Sequence, residues 1–560
     1  MGSRQSDERS SSSSSRQSNT ASPPSTSRQS NTASPPSTSR QSNTATPPST
    51  SRREEATERE LDYTELLAYL MRSGQIRLVS SNPDWALGVE DSDDDTTIEC
   101  CPEADLNPDT EAIDASALKQ QMLFRAGMNH NSTIPKERPV TYMLQKRAIG
   151  SCLRGNFSRG DLAMVSASYL PNSMRSIAQY NTKAFCGNYS KDGSVFLSAC
   201  QDQVLRVYDT TKGKFEKFKE IRARDVGWSI LDTAFSPDGN YLIYSSWSEC
   251  IHLCNVHGEF QTHNSMDLEP TDRHFCPFSV QFSSNNKEIL AGANDGFLYI
   301  YDRELNKRTT RIDAHEDDIN SVKFADDSSQ ILFSGGDDGM CKVWDRRMLS
   351  DTACDPVGVM AGHTDGITCV DSKGDGRHLI TNSKDQSVKL WDLRVFSPSS
   401  AISSCRKAVA GQTWDYRWQQ LPRRSKRTNN VKGDTSLMTY RGHGVLYTCI
   451  RCHFSPAFTT DQKYIYCGCA TGGIIIYDVL TGKIVRKLDG HRECVRDVSW
   501  HPFENNIISS SWDGSHGMWE YNRDGNGEWE DDDSDDSDDS GNDDDIFHRL
   551  RRPRRQPQRL

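Results

Sequence analysis

The residue types that could do chemistry recur as sets. His315, Ser334 and Asp338 are matched by His363, Thr381 and Asp385, and again by His491, Ser509 and Asp513. One such set has the composition of a nucleophile, base and orienter triad. Three sets in register, each followed by a tryptophan (Trp344, Trp391, Trp519), read instead as a repeated hydrogen-bond network in which buried polar groups supply each other's partners. An active site is carried once, in one cleft, so no catalysis is expected from these residues. A second grouping is Cys449-Ile-Arg-Cys452-His453, with Cys467 and Cys469 close behind. It matches a haem-attachment string and brings zinc to mind. Read as the first strand of a repeat, however, it sends Cys449 and Cys452 to opposite faces, and metal ligation needs converging thiolates. No cofactor and no metal are expected.

The elements that position these residues are strands. Each set lies in an alternating run, a turn, a second run, and a third run closing on Trp-Asp or its equivalent, with end marks at 209, 255, 302, 345, 392, 478 and 520. The runs are short and rich in Val, Ile, Phe, Tyr and Cys, with turns such as Ser236-Pro-Asp-Gly239 between them. A period of about 40–45 residues with these marks resembles the WD repeat, one four-stranded blade of a β-propeller. The resulting expectation is an all-β, seven-bladed WD-repeat propeller over 160–524, with an insertion at 395–440 in the one double-length interval. The chain after Glu520 has no strand pattern, so the last blade must borrow its outer strand from before the first. Leu162–Leu170 is the segment expected to supply it.

The chain has 560 residues, a net charge of −12 and 17 cysteines. Residues 528–545 hold twelve of the acidic residues and no Lys or Arg, so the remainder is neutral and offers no general basic field to nucleic acid. Cysteines scattered through strands, with no secretory signal ahead of them, read as reduced, mostly buried thiols. No run approaches the roughly 20 apolar residues of a membrane span. Met1-Gly2-Ser3-Arg4-Gln5-Ser6 fits the N-myristoylation pattern, which Ser-rich starts also produce by chance.

Residues 1–56 form a Ser/Pro-rich tail with three tandem copies of SRQSNTASPPST, whose composition cannot support a core. Ser22, Ser34 and Thr46 each precede Pro and are candidate sites for proline-directed kinases. The extension 57–159 opens with a capping box, Thr57-x-x-Glu60, and an apolar stripe of Tyr63, Leu66, Leu67, Leu70 and Met71. This helix either docks on the propeller or inserts into a partner's groove. Thr110–Arg125 is a weaker helix candidate. In the insertion, Trp414, Tyr416, Arg417 and Trp418 are the residue types over-used at interface hot spots and are candidate substrate contacts. Arg423–Arg427 reads as an import signal, a nucleic-acid patch or a solvated loop. The tail 525–560 is acidic, then Arg-rich. Ser534, Ser537 and Ser540, set among aspartates, suit an acidophilic kinase.

Leu332–Arg347 and Leu379–Arg394 together are more specific. LFSGGDDGMCKVWDRR and LITNSKDQSVKLWDLR resemble the tandem box of WD-repeat propellers that serve as substrate receptors of cullin-4 RING ubiquitin ligases. The resemblance extends from Asp62 to about Trp519, through Leu67–Leu70, Ala223–Trp228, Trp414–Trp418 and Thr439–His443; the tails lie outside it. Departures are Asn382, Cys341 and Arg346. It implies a non-catalytic receptor that binds the ligase's large adaptor (damaged-DNA-binding protein, subunit one) and recruits proteins for ubiquitination and degradation, stress-response transcription factors among them. Such proteins work in nucleus and cytoplasm. In that family the box arginines, here Arg347 and Arg394, contact the adaptor; Asp345 and Asp392 beside them, with Leu66 and Leu70, complete the expected adaptor-binding set. Independently of the resemblance, a guanidinium at a strand end offers a fixed fork to a partner's carboxylate or carbonyl, or pairs within its own blade. The other reading is a nuclear scaffold or histone-binding propeller that uses its acidic tail.

Overall fold

A computed structural model describes residues 102–125, 140–149 and 157–523, apart from 158, 259, 272–273, 351–354, 420 and 422–430. Leu66, Leu70 and all six candidate phosphosites lie outside the described residues. Seven four-stranded antiparallel sheets follow one another along the chain, and their innermost strands contact in sequence and close on themselves, blade 7 against blade 1. This is the seven-bladed propeller expected from the repeats. In an antiparallel blade the first-to-second and third-to-fourth connections share one end, here called the lower face. The loops entering each innermost strand, and the second-to-third turns, share the other, upper face.

Each blade buries both of its faces against its neighbours. Blade 4, for example, is Ile319–Phe324, Ile331–Gly336, Met340–Asp345 and Gly358–Ala361 from the axis outward. Its middle strands are almost wholly buried, so apolar residues fall on both faces rather than alternating strictly with polar ones. The turn between them needs Gly339, whose φ is +74° and where a Cβ would lie 2.7 Å from Val409 of the insertion.

Ring closure corrects the sequence reading in its placement. Residues 162–168 belong to the helix Arg159–Ser168, and the outer strand of blade 7 is Ser173–Gln179, paired antiparallel with Ser515–Glu520. The run LAMVSAS holds only one β-branched residue and no Gly or Pro, so helix is locally open to it. Pro171 then ends the helix and frees the chain to extend. Met174 sets the clasp, lying opposite Trp519 and packing with it in one core cluster.

Two further parts differ from the reading. The insertion contains a helix, Ser399–Ala410, and ends in the missing outer strand of blade 5, Met438–Arg441. The first strand of blade 6 is only Cys452–Phe454, so Cys449 belongs to the upper-face loop rather than to the strand. Thr110–Arg125 forms two short helices, Glu111–Ala115 and Ala117–Arg125, and buries Ile113, Leu118 and Met122 in the core cluster shared by blades 5 and 6.

Candidate functional site

The repeated sets are continuous circuits. In blade 4, Trp344 Nε1–H donates to Ser334 Oγ at 2.9 Å, Ser334 Oγ lies 2.7 Å from His315 Nε2, and His315 Nδ1 lies 2.9 Å from Asp338. Trp391, Thr381, His363 and Asp385 repeat this at 2.8, 2.7 and 2.9 Å, and Trp519, Ser509, His491 and Asp513 at 2.8, 2.6 and 3.2 Å. Asp385 and Asp338 are buried, which alone would raise their carboxyls, yet the facing histidines hold both below the ordinary carboxylate range. Ser334, Thr381 and Ser509 are fully buried and their oxygens already serve the indole, so these hydroxyls face no substrate. Each circuit ties the upper-face loop, through the histidine and aspartate, to the blade's middle strands.

Asn382 departs from the small residue expected in the box for a visible reason. Its amide donates to Ile450 O at 2.9 Å, and its carbonyl lies 2.9 Å from His443 Nε2, so it stitches blade 5 to the loop of blade 6. Cys341 is buried core, and Arg346 reaches Glu288 of blade 3.

The box arginines stand at equivalent positions, just after the third strand of blades 4 and 5, where the chain leaves that strand at the lower face. Arg347 is 67% exposed and lies bidentate on Asp345, at 2.9 and 2.6 Å. That pairing holds Asp345 low, at about 2. Arg394 is 62% exposed and only loosely tied to Asp392, at 3.5 Å. Asp392 itself is claimed by Arg377 at 3.0 and 2.6 Å, which corrects the expectation that it faces a partner. Both guanidiniums therefore remain open on one side, and Arg394 is the less committed.

The insertion delivers the Trp414–Trp418 stretch to the upper face. Its helix lies along the outer edge of blade 4, with Cys405 reaching the carbonyls of Gly339 and His363, and Gln412 donates to Thr364 O. Tyr416 is then buried at 8% exposure, its hydroxyl 3.5 Å from Cys449 Sγ and the Lys384 ammonium 4.5 Å above its ring. Trp414 packs against a small apolar cluster that holds Val445, Leu446, Ile450, Ala470 and Cys494. The Tyr416 ring is not free to contact a substrate, so the structure corrects that part of the expected set, while Trp414 is half-buried. Trp418, 50% exposed, and Arg417, which leans on Asp415 at 3.0 Å, remain available. Beside them Asp317, Asp318, Asp337 and Asp365 crowd the loops of blades 4 and 5. Burial and the neighbouring Asp337 and Asp317 raise Asp318 to about 7, while burial raises Asp365 to about 6.

Among the described residues no group of three His, Cys, Asp or Glu is placed to hold a metal ion, and no helix is long and apolar enough to cross a membrane. The sequence reading missed the ionisable groups that line the ring's axis. Asp232, Lys323, Asp371, Arg451, His453 and Asp497 lie on or beside innermost strands and pair across them. Their signal was present as charge interrupting otherwise apolar runs, as in NSVKF, TCVDS and VRDVSW.

Repeated circuits in a closed ring of seven four-stranded blades define a WD-repeat propeller. The family model described as "WD domain, G-beta repeat" matches residues 306–345, 354–392 and 482–520. The chain is 42% identical over 374 residues to a Caenorhabditis elegans protein named DDB1- and CUL4-associated factor 11 homolog, covering 64% of this chain and 65% of that one. It is 41% identical over 390 residues to the LEC14B homolog of Prunus armeniaca, covering 68% of this chain and 81% of the relative. The Caenorhabditis briggsae factor 11 homolog is 40% identical over 370 residues, 63% of this chain and 66% of that one. The chain belongs to this WD-repeat family of CUL4-associated factor 11 and LEC14B proteins, and it spans just under two thirds of the worm relatives' length.

Proposed function

We propose that the protein is a non-catalytic substrate receptor of a cullin-4 ubiquitin ligase, working in nucleus and cytoplasm. Arg347 and Arg394 take the adaptor on the lower face, and the upper face around Trp418 and Arg417 takes the protein to be ubiquitinated. The observation that carries the reading is the pair of exposed guanidiniums at one repeat position in adjacent blades. An arginine needed only within its blade would be expected to be enclosed; two open forks on one rim suit one extended partner. The names of the worm relatives support the same partners. The buried serine and threonine hydroxyls support a receptor rather than an enzyme. The test is affinity purification of the full chain with quantitative identification of what co-purifies. Adaptor and cullin at near-stoichiometric levels are the expected result, and their absence alongside recovered histones would favour the scaffold reading.

A further inference from the structure

The ring encloses a chamber of about 550 Å³ lined by the innermost strands of all seven blades. Its lining includes lower-face turn residues such as Lys191, Pro237, Asp326 and Gly374, and no loop residue of the upper face beyond Arg451, so it opens downward. The upper end is crossed by ion pairs. Arg451 of blade 6 reaches over the axis to Asp232 of blade 2 at 2.6 Å and holds Asp497 of blade 7 at 3.1 Å. Arg496 fills the space beside it, donating to Phe185 O at 2.6 Å and Leu231 O at 2.8 Å. At the mouth, Lys191 of blade 1 meets Asp327 of blade 4 at 3.1 Å, an exposed pair. The volume falls in the range of small-molecule sites, roughly 300–1,000 Å³.

The balance of donors and acceptors in the chamber gives the ligand's chemistry. The carboxylates are largely satisfied. Asp232 accepts from the backbone N–H of Thr233 and Val280 as well as from Arg451. Asp371 accepts from Phe454 N–H, and Asp497 from the N–H groups of Gly187 and Val498. Lys323 and His453 are not. Lys323, with a side chain 33% exposed, has the single carboxylate Asp371 at 3.1 Å for its three N–H groups. The His453 ring, 23% exposed, sits 3.7 Å from Asp371 and 3.8 Å from Asp497, beyond hydrogen-bonding distance from either. Burial works against a charge on that imidazole, while the neighbouring Asp371 and Asp497 carboxylates raise its pKa and favour one.

We propose that this chamber binds a small multivalent oxyanion, a polycarboxylate or phosphate compound, whose oxygens accept hydrogen bonds from Lys323 and His453. Unspent donors beside satisfied carboxylates select a ligand that brings acceptors and negative charge.

The test is equilibrium dialysis of the purified full chain against labelled citrate and, separately, inorganic phosphate, at ionic strength held constant with chloride. Saturable binding at one site per chain is expected for at least one probe; preference between them distinguishes a carboxylate from a phosphate ligand. Lys323→Gln should weaken binding by about tenfold or more, as loss of a charge-assisted contact does, while Lys323→Arg keeps most of it. Lys191→Glu, exposed at the mouth and neutral for folding, should weaken it by about threefold at low salt. Absence of saturable binding by the wild type overturns the proposal, and so does unchanged affinity in Lys323→Gln. Should Lys323→Gln fail to melt cooperatively, the other two lysine variants decide, and undiminished affinity in Lys191→Glu overturns the site.

Discussion

Removing the shared hydroxyl of one blade circuit, with almost no change in volume, measures what the repeated network contributes. Thr381→Val in blade 5 is the cleanest case, since Thr381 is fully buried between Trp391 Nε1 at 2.8 Å and His363 Nε2 at 2.7 Å. Valine keeps the shape and the β-branch that suits a strand. It leaves one indole donor and one imidazole nitrogen buried without partners, at about 1–3 kcal/mol each, so a loss of roughly 2–6 kcal/mol is expected. Equilibrium urea unfolding of the full chain, followed by tryptophan fluorescence and circular dichroism, reads it as a lowered midpoint with an unchanged slope. Ser509→Ala in blade 7 should fall in the same range, because Ser509 joins His491 and Trp519 in the same way. A change under about 0.5 kcal/mol in both, the level of an ordinary surface substitution, would refute the argument that these circuits hold the upper loops to the blades.

Met174→Asp should destabilise blade 7 by about 2 kcal/mol or more, since it buries a charge against Trp519; hydrogen exchange should rise first along Ser515–Glu520. Asp318→Asn should stabilise the protein at pH 8, on the order of 1–2 kcal/mol after allowance for solvent screening. The sign follows from a folded-state value of about 7, above the unfolded one: holding this carboxyl folded costs stability at high pH, and the cost shrinks as pH falls below 7 and is gone only below the unfolded value of about 4. The advantage of the variant should therefore shrink as pH falls from 8 and vanish only below about pH 4 in parallel thermal melts. Trypsin should nick the insertion at Arg423–Arg427 while the two pieces stay associated, because Met438–Arg441 remains paired with Ser387–Leu390; separation on gel filtration would contradict the pairing.

Repetition made the blades legible. Seven end marks fixed the third strands, and the positions of His, Ser or Thr, Asp and Trp fixed three circuits before any coordinates, because each depends on local spacing within one blade. What depended on contacts between distant segments was not legible. SMRSIAQ has no strong strand signature and is a strand because Ser515–Glu520 offers an open edge. LAMVSAS looked apolar enough to fill that edge, yet its neighbours leave it helical. Tyr416 looked like a surface anchor by type and is buried because the helix Ser399–Ala410 carries it onto Cys449 and Lys384. The axial cations face carboxylates of other blades, up to 219 residues away, and no window of sequence shows such a pairing.

The central claim is that the lower rim of blades 4 and 5 is the adaptor's docking surface. The most direct measurement is the affinity of the purified adaptor for wild type, Arg347→Ala, Arg394→Ala and the double variant, with thermal melts alongside. Both side chains are more than half exposed and fill no core, so melting should barely move. Each arginine that is a hot spot costs about 2 kcal/mol, or roughly thirtyfold in affinity. The larger single loss is expected at Arg394, whose guanidinium is less tied to its own blade, and near-complete loss in the double variant. Wild-type affinity in a stably folded double variant would contradict the claim.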